Sequence, residues 1–324
     1  MKKKLLSAVL SVAVVASLLV GCGSSDAGTT GSDASASSEA SESSEASANG
    51  TRVGVSMPTK DLQRWNQDGS NMEAELKAAG YDVDVQYASN DVQTQVSQIE
   101  NMISSGADVL VIAAIEGSSL GEALDMAKDA NIPVIAYDRL LMNSDAVSYY
   151  ATFDNYMVGT VQGQYIVDTL DLDNAAGPFN LEITAGDPGD NNAGYFFNGA
   201  YDVLKPYIES GKLNVVSGQK TFDECATPLW ATETSQSRAE NILSSNYSDG
   251  TNVDVWLCSN DSTALGVENA LAANYNGTYP IVTGQDCDVE NVKNIIAGKQ
   301  SMSVFKDTRT LARPTILRYL SASP

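Results

Sequence analysis

The sequence contains no histidine among its 324 residues. This absence excludes every Ser-His-Asp or Cys-His catalytic arrangement and every metal site that relies on an imidazole ligand. Basic residues are also scarce, because 19 lysines and arginines stand against 41 aspartates and glutamates and leave a net charge of -22. Such a surplus repels phosphate backbones and anionic lipid, so nucleic acid is not an expected partner and a soluble monomer is favoured.

Cysteines are few, and three of the four, Cys225, Cys258 and Cys287, lack the spacing of metal ligands. Three thiols leave at least one unpaired, and a disulfide between Cys225 and Cys287 is predicted. The acidic segment 171–174 begins like a calcium loop, but alanines follow where a further oxygen ligand and a glycine are required. Phosphate-binding signatures of the GxGxxG or GxxxxGK[ST] type are absent at the places where they would bind nucleotides. No metal and no cofactor are therefore expected.

Long apolar runs are equally rare, and the clearest one extends from Leu5 to Val20 behind three lysines. It is shorter than the roughly 20 residues that span a bilayer, and its order of charge and apolarity is typical of a secretory signal. The run ends in LVGC at 19–22, which resembles the bacterial lipoprotein box and implies that Cys22 is lipidated after export. The alternative is an ordinary signal peptide with an incidental cysteine. We expect a signal segment over 1–22 and an anchor on the outer face of the cytoplasmic membrane.

Residues 23–50 are almost entirely small, polar or acidic and offer no large apolar side chain to bury. This composition predicts a disordered tether.

Beyond the tether, short apolar runs alternate with helix-length amphipathic segments, a pattern that predicts βαβ units. Strands are predicted at 52–57, 83–87, 108–113 and 133–137, and a second series at 180–185, 213–217, 253–258 and 280–283. The run at 108–113 is apolar almost throughout, as expected for a central parallel strand covered on both faces. Between the second and third strands, Val92, Val96, Ile99 and Ile103 share one helical face, and Asp91 suits its N-cap. The sequence thus predicts an α/β fold of two Rossmann-like lobes with mainly parallel sheets.

Ligands of open parallel sheets bind beyond the carboxyl ends of the strands. The residues that follow the predicted strands are strongly polar, and six short motifs stand there: RW at 64–65, YDR at 137–139, DNNA at 190–193, SND at 259–261, GQD at 284–286 and FK at 305–306. Together, in this order, the motifs resemble the type I periplasmic sugar-binding proteins of ABC transporters, in the branch that binds xylose and several other aldoses. The resemblance extends over residues 52–311.

The resemblance implies two lobes joined by a hinge, an N-terminal lobe over 51–153 plus 287–311 and a C-terminal lobe over 154–286. It also implies a set of residues that hydrogen-bond sugar hydroxyls and the ring oxygen: Arg64, Asp138, Arg139, Asn192, Asn260, Asp286 and Lys306. These types suit a ligand whose hydroxyls both donate and accept. Trp65 and Trp230 are candidates to cover the apolar face of a sugar ring, with Phe222 an alternative to Trp230.

Ordinary structural roles compete with this interpretation. Asp138 and Arg139 could form a solvated ion pair in a surface turn, and Asn260 could cap the helix that follows it. Lys306 alone could be solvated, and Trp65 alone could be a core residue.

The resulting hypothesis is an exported, lipid-anchored binding protein without catalytic residues. It captures a monosaccharide such as xylose, glucose or galactose by hinge closure and delivers this sugar to an ABC transporter permease. One alternative is a sugar sensor that serves chemotaxis or a membrane kinase. An enzyme with Asp187 and Asp190 as acid and base is a further alternative, and a sugar-responsive repressor is disfavoured by the signal, the tether and the charge. Residues 312–324 are basic and proline-containing, unlike the acidic body, and predict an aberrant, truncated or frame-shifted terminus.

Overall fold

The computed structural model describes residues 50–311. Cys22 and the rest of the signal segment, nearly all of the tether and the tail 312–324 lie outside the described residues. Within the described part of the chain, no helix has both the length and the apolarity that a bilayer span requires.

Two parallel sheets and the helices packed on them make up residues 50–311. The first half contains β1 Arg52–Met57, α1 Gln63–Ala78, β2 Asp82–Tyr87, α2 Val92–Ser104, β3 Val109–Ile112, α3 Gly121–Asp129, β4 Val134–Tyr137 and β5 Val147–Ala151. The second half contains α4 Asn155–Thr169, β6 Phe179–Thr184, α5 Asn191–Glu209, β7 Leu213–Val215, α6 Phe222–Cys225, a 3₁₀ turn Pro228–Trp230, α7 Thr232–Asn246, β8 Val255–Cys258, α8 Asp261–Asn274, β9 Ile281–Val282 and α9 Val289–Ile296.

The first sheet has the order β2-β1-β3-β4-β5 with every pairing parallel. Side chains alternate between its faces, so Val109 and Val111 pack with Trp65 of α1, whereas Leu110 and Ile112 pack with helices α2 and α3. Because helices cover both faces, β3 and β4 are buried at every residue. The predicted cap of α2 is confirmed, since the Asp91 side chain accepts a hydrogen bond from the Thr94 N–H at 2.6 Å.

The second sheet has the order β7-β6-β8-β9 and is also parallel throughout. One of its faces is covered by α4 and α5 and the other by α7 and α8. The predicted α/β class with mainly parallel sheets is therefore confirmed.

The segment 287–304 departs from its predicted place in the first lobe. Val304 forms a parallel bridge with Gln285, and the Ser301 N–H donates to the Val282 carbonyl at 2.9 Å, so this segment continues the second sheet. The chain reaches the first core again only at Leu311. The predicted boundary at 286 is too early, because Asn291 of α9 donates to the Asp261 carbonyl of α8 at 2.9 Å and residues 301–304 hydrogen-bond to β9 and its extension.

The predicted disulfide between Cys225 and Cys287 is wrong, because Cys225, Cys258 and Cys287 are all free thiols. Cys225 is buried in the core of the second sheet, where its thiol contacts the Gln219 carbonyl oxygen at 3.5 Å. Cys287 instead follows β9 and contacts the Ser303 carbonyl oxygen at 3.5 Å.

Candidate functional site

A cavity lies at the carboxyl ends of the strands, between the two sheets, and offers about 420 Å³ of space not occupied by protein atoms. Its walls are formed by Leu62, Arg64, Trp65, Asp138, Arg139, Asp190, Phe196, Trp230, Asn260, Ser262, Gln285, Asp286, Asp288 and Lys306. Eight of the nine predicted ligand residues are in this set, and the ninth, Asn192, lies directly behind it.

The Arg64 guanidinium is the centre of a buried charge network. It projects from the first turn of α1 and bonds Asp138 Oδ2 at 2.5 Å, Asp68 Oδ2 at 3.1 Å and Asp286 Oδ1 at 3.3 Å. Lys306 Nζ reaches the same Asp286 oxygen at 3.0 Å. Both cations thus have carboxylate partners, and no anionic ligand is needed to balance them.

Electrostatics differ between the carboxylates that face Arg64. Burial by itself raises the pKa of Asp138, but the positive charges of Arg64 and Lys306 hold that pKa below its usual value. For Asp68 the effect of burial exceeds that of Arg64, so the pKa of Asp68 is raised. The Asp138 carboxylate is therefore the firmly ionised member of this pair.

Asp138 directly follows β4 in a left-handed backbone conformation, with φ of 60°, and Asp286 adopts φ of 98°. Such conformations are unfavourable for residues other than glycine and persist where the surroundings enforce them. The Asp138 carbonyl accepts hydrogen bonds from Asn192 Nδ2 at 3.0 Å and from the Tyr150 hydroxyl at 3.2 Å. The predicted ligand residue Asn192 therefore contacts the backbone of another site residue across the two sheets.

Arg139 of the first lobe forms a second buried ion pair across the cavity, with its Nε 3.0 Å from Asp190 Oδ2. Its Nη1 donates to the carbonyls of Ala114 and Ile115 at 2.9 and 3.1 Å, which fixes the plane of the guanidinium. Asp190 caps α5 and also accepts a hydrogen bond from the Trp230 indole N–H at 3.2 Å. The predicted solvated turn at 138–139 is thus excluded, because both side chains are buried.

Two indole rings belong to the cavity wall. The guanidinium carbons of Arg64 and Arg139 lie 5.2 and 5.0 Å from the Trp65 ring centroid. Trp230 meets the edge of Phe196 with ring centroids 6.2 Å apart. Phe222 is not part of the wall and packs against Phe197 instead, so Trp230 is the aromatic residue of this segment that lines the cavity.

Asn260 caps a helix and also lies in the cavity wall. Its side-chain oxygen accepts a hydrogen bond from the Thr263 N–H at 3.0 Å and caps α8, while the residue also lines the cavity. Its amide donates to Ser262 Oγ at 2.9 Å, and that hydroxyl also contacts the Trp230 carbonyl at 2.8 Å. The cap therefore holds the Trp230 segment against the cavity.

Several wall residues were not predicted from the sequence: Leu62, Phe196, Ser262, Gln285 and Asp288. Asp190 was considered only as a catalytic acid or base. Gln285 and Asp288 lie within or beside the GQD motif, and Ser262 follows SND, so a wider window around each motif would have included them. Phe196 gives no such signal, because an apolar residue in a helix is most often a core residue.

Comparison with known proteins gives matches over most of the chain. The family described as periplasmic binding protein domain matches residues 53–316. The multiple sugar-binding periplasmic receptor ChvE of Rhizobium radiobacter is 50% identical over 268 residues, which is 82% of this chain and 75% of that protein. The D-xylose-binding periplasmic protein of Escherichia coli strain K12 is 37% identical over 265 residues, 82% of this chain and 76% of that protein.

Among solved structures, the chain is similar to solute-binding proteins of transporters. An ABC transporter solute-binding protein from Clostridium phytofermentans, crystallised with bound β-D-glucose, is 68% identical, covers 84% of each chain and superposes with a TM-score of 0.82. A carbohydrate transporter solute-binding protein from Chloroflexus aurantiacus in complex with D-glucose is 36% identical, with a TM-score of 0.75 and the same coverage.

Proposed function

Because the chain belongs to the periplasmic binding protein family, we propose that it captures an uncharged monosaccharide between its two lobes and delivers it to an ABC transporter. The family match bears out the resemblance predicted from the six motifs. Proteins 50% and 68% identical to this chain are described as a multiple sugar-binding receptor and as a solute-binding protein with bound glucose, which supports an aldose of this kind.

The polar cavity, which is lined by two tryptophans and by cations with carboxylate partners, carries this proposal. Arg64, Lys306 and Arg139 each have a carboxylate partner, so an anionic ligand finds no unpaired cation among them to balance it. A sugar hydroxyl can both donate to these carboxylates and accept from these cations without any net charge. Trp65 and Trp230 would cover the apolar C–H faces of the ring.

We expect ligand contacts from Arg64, Trp65, Asp138, Arg139, Trp230, Asn260, Asp286 and Lys306. Asn192 acts indirectly in this scheme, since its side chain holds the Asp138 carbonyl. The sugar would contact groups from both lobes and so bind the closed arrangement better than an open one. A permease then needs to recognise only the closed surface. A sensory partner that reads the same surface is the remaining alternative.

The experiment is a monosaccharide panel measured by thermal shift and calorimetry on residues 50–324. We expect D-glucose, and among the related aldoses at least one of xylose and galactose, to raise the melting temperature. A ligand at 100 times its Kd stabilises the folded state by about 2.7 kcal/mol. Sorbitol and glucuronate are the controls for an open chain and a charged ring. An unchanged melting temperature with every sugar would overturn the proposal.

Binding without turnover is part of this proposal. The alternative of Asp187 and Asp190 as acid and base is disfavoured, because Asp190 Oδ2 is already engaged by Arg139 and by Trp230. A residue so paired is poorly placed to transfer protons to a glycosidic oxygen.

We further propose that Cys22 carries the lipid anchor. We expect the full chain to incorporate labelled palmitate and to sediment with membranes, since two acyl chains give stable anchoring. Cys22→Ala should abolish both, while Cys287→Ala, which alters a thiol far along the chain, should change neither. Membrane-bound label in Cys22→Ala would contradict the anchor.

A further inference from the structure

Asp288 presents an unused acceptor to the cavity. It lines the cavity wall at the N-cap position of α9, yet its side chain makes no capping hydrogen bond. Its backbone N–H donates to Asp261 Oδ2 at 2.8 Å, which fixes the residue in place. Its Oδ1 atom is buried and has no hydrogen-bond partner among the described residues. A buried carboxylate oxygen without a donor is unfavourable, so a hydrogen-bond donor placed in the cavity would stabilise this atom.

The neighbouring cations do not supply that donor. Arg64 directs its nitrogens at Asp68, Asp138 and Asp286, and Lys306 bonds Asp286. Gln285, which also lines the cavity, gives its amide to the Ser259 carbonyl at 2.7 Å. Gln63 lies beside this segment, since its Oε1 accepts a hydrogen bond from the Val289 N–H at 3.2 Å, and its buried Nε2 has no hydrogen-bond partner among the described residues. No described side chain donates to Asp288 Oδ1, so this acceptor is open to a hydroxyl of the ligand.

We propose that Asp288 is a further ligand-binding residue, whose Oδ1 accepts a hydrogen bond from a hydroxyl of the bound sugar. This inference rests on the proposed function. It adds a requirement for specificity, because the ligand must carry a hydroxyl, and not an acceptor or a carboxylate, at the position that faces Asp288.

The ionisation of Asp288 makes the contact measurable. Burial first, and then the charge of Asp286, raise the pKa of Asp288 to about 7, while Arg64 and Lys306 act in the opposite direction. Asp261, the remaining group that faces it, has its pKa raised to about 8 by burial and by Asp286. The chain has no histidine to titrate in the same range.

The direction in which the sugar affinity changes with pH follows from the sugar hydroxyl being the donor and Asp288 the acceptor. A hydroxyl that donates to Asp288 stabilises its ionised form, so the bound state has the lower pKa and sugar binding releases a proton below about pH 7. The affinity for a neutral sugar should therefore fall as the pH decreases from 8 to 6, by up to about ten-fold for a group with a pKa near 7.

The test is the Kd of D-glucose at pH 6, 7 and 8 for the wild-type protein and three variants. Asp288→Ala should bind about ten-fold or more weakly at pH 8 and lose the pH dependence, because a hydrogen bond to a charged acceptor is among the stronger ones. Asp288→Asn keeps an acceptor without charge and should bind with intermediate affinity and a flat profile. Glu290→Gln removes an exposed charge from the same helix and should match the wild type.

A panel of monodeoxyglucoses identifies the partner hydroxyl. For one of them the loss in affinity should not add to that of Asp288→Ala, as a double-mutant cycle requires for a direct contact. The inference is overturned if Asp288→Ala and Asp288→Asn retain the affinity and pH profile of the wild type. It is also overturned if, for every deoxy sugar, the loss in affinity adds fully to the loss caused by Asp288→Ala. By contrast, a wild-type protein that responds to no sugar at all would overturn the proposed function itself.

Discussion

Replacement of Arg64 by methionine should lower the free energy of unfolding by about 3–5 kcal/mol at pH 8, the usual effect of removing one partner from a buried ion network. Asp68, Asp138 and Asp286 would keep their places but lose the cation to which all three are bonded. Methionine preserves much of the side-chain volume, so the effect reports charge and not a cavity. Urea unfolding followed by circular dichroism measures the change.

The destabilisation by Arg64→Met should depend on pH. In the wild type, the charge of Arg64 lowers the pKa of the Asp138 and Asp68 carboxyls against the effect of burial. Without the guanidinium, burial raises both pKa values above those of the unfolded chain, so the variant gains stability as these two carboxylates become protonated. The difference in the free energy of unfolding between Arg64→Met and the wild type should therefore be smaller at pH 5 than at pH 8.

Lys77→Met is the matched control, because Lys77 lies on the same helix and pairs with Glu73 at 2.6 Å, with the two side chains 55% and 41% exposed. A surface pair of this kind contributes less than about 1 kcal/mol. Equal losses for the two variants, or a loss in Arg64→Met that does not change with pH, would contradict the role given to the network.

The contrast between these two helical ion pairs shows what sequence patterns resolve. Arg64 and Asp68 stand at the same spacing as Glu73 and Lys77, four residues apart on α1, and local sequence does not distinguish them. The burial of the first pair depends on Asp138 and Asp286, which follow other strands far along the chain. Motif order identified Arg64 because the resemblance supplied this long-range information, whereas Asp68 lies outside every motif.

Strands were predictable where they form apolar runs, and one edge strand, β5, was missed. β3 and β4 are continuous apolar runs, which burial by helices on both sides dictates. β5 was missed because it is an edge strand whose residues, apart from Ala151, are only partly buried or exposed. Its sequence therefore carries no apolar alternation towards a core. The end of the second lobe was misplaced for a related reason, since the bridge between Gln285 and Val304 depends on tertiary pairing.

The position of Trp230 depends on the absence of a side chain at Gly186, and this gives the second large prediction. A Cβ atom on Gly186 would lie 2.0 Å from Cη2 of the indole, which is far closer than any van der Waals contact. Trp230 is buried and hydrogen-bonded to Asp190, so its ring has little freedom to move aside. Gly186→Ala should therefore displace the indole from the cavity wall.

We expect Gly186→Ala to weaken glucose binding by roughly 30- to 150-fold, equivalent to about 2–3 kcal/mol for the loss of an aromatic face on the sugar. The folded protein should also lose about 1–3 kcal/mol of stability through overpacking. Calorimetric titration and urea unfolding separate the two effects. Gly194→Ala is the matched control, because Gly194 lies in α5 with nothing within 4 Å of the added Cβ, so binding should be unchanged.

The double variant Gly186→Ala with Trp230→Ala decides whether the glycine acts through the indole. Trp230→Ala alone should weaken binding to a similar extent, and it leaves room for the methyl group at position 186. The double variant should then lose little more binding free energy than either single variant, because both substitutions remove the same contact. Full additivity would show that Gly186 influences the sugar by another route, and wild-type affinity in Gly186→Ala would remove Trp230 from the binding site.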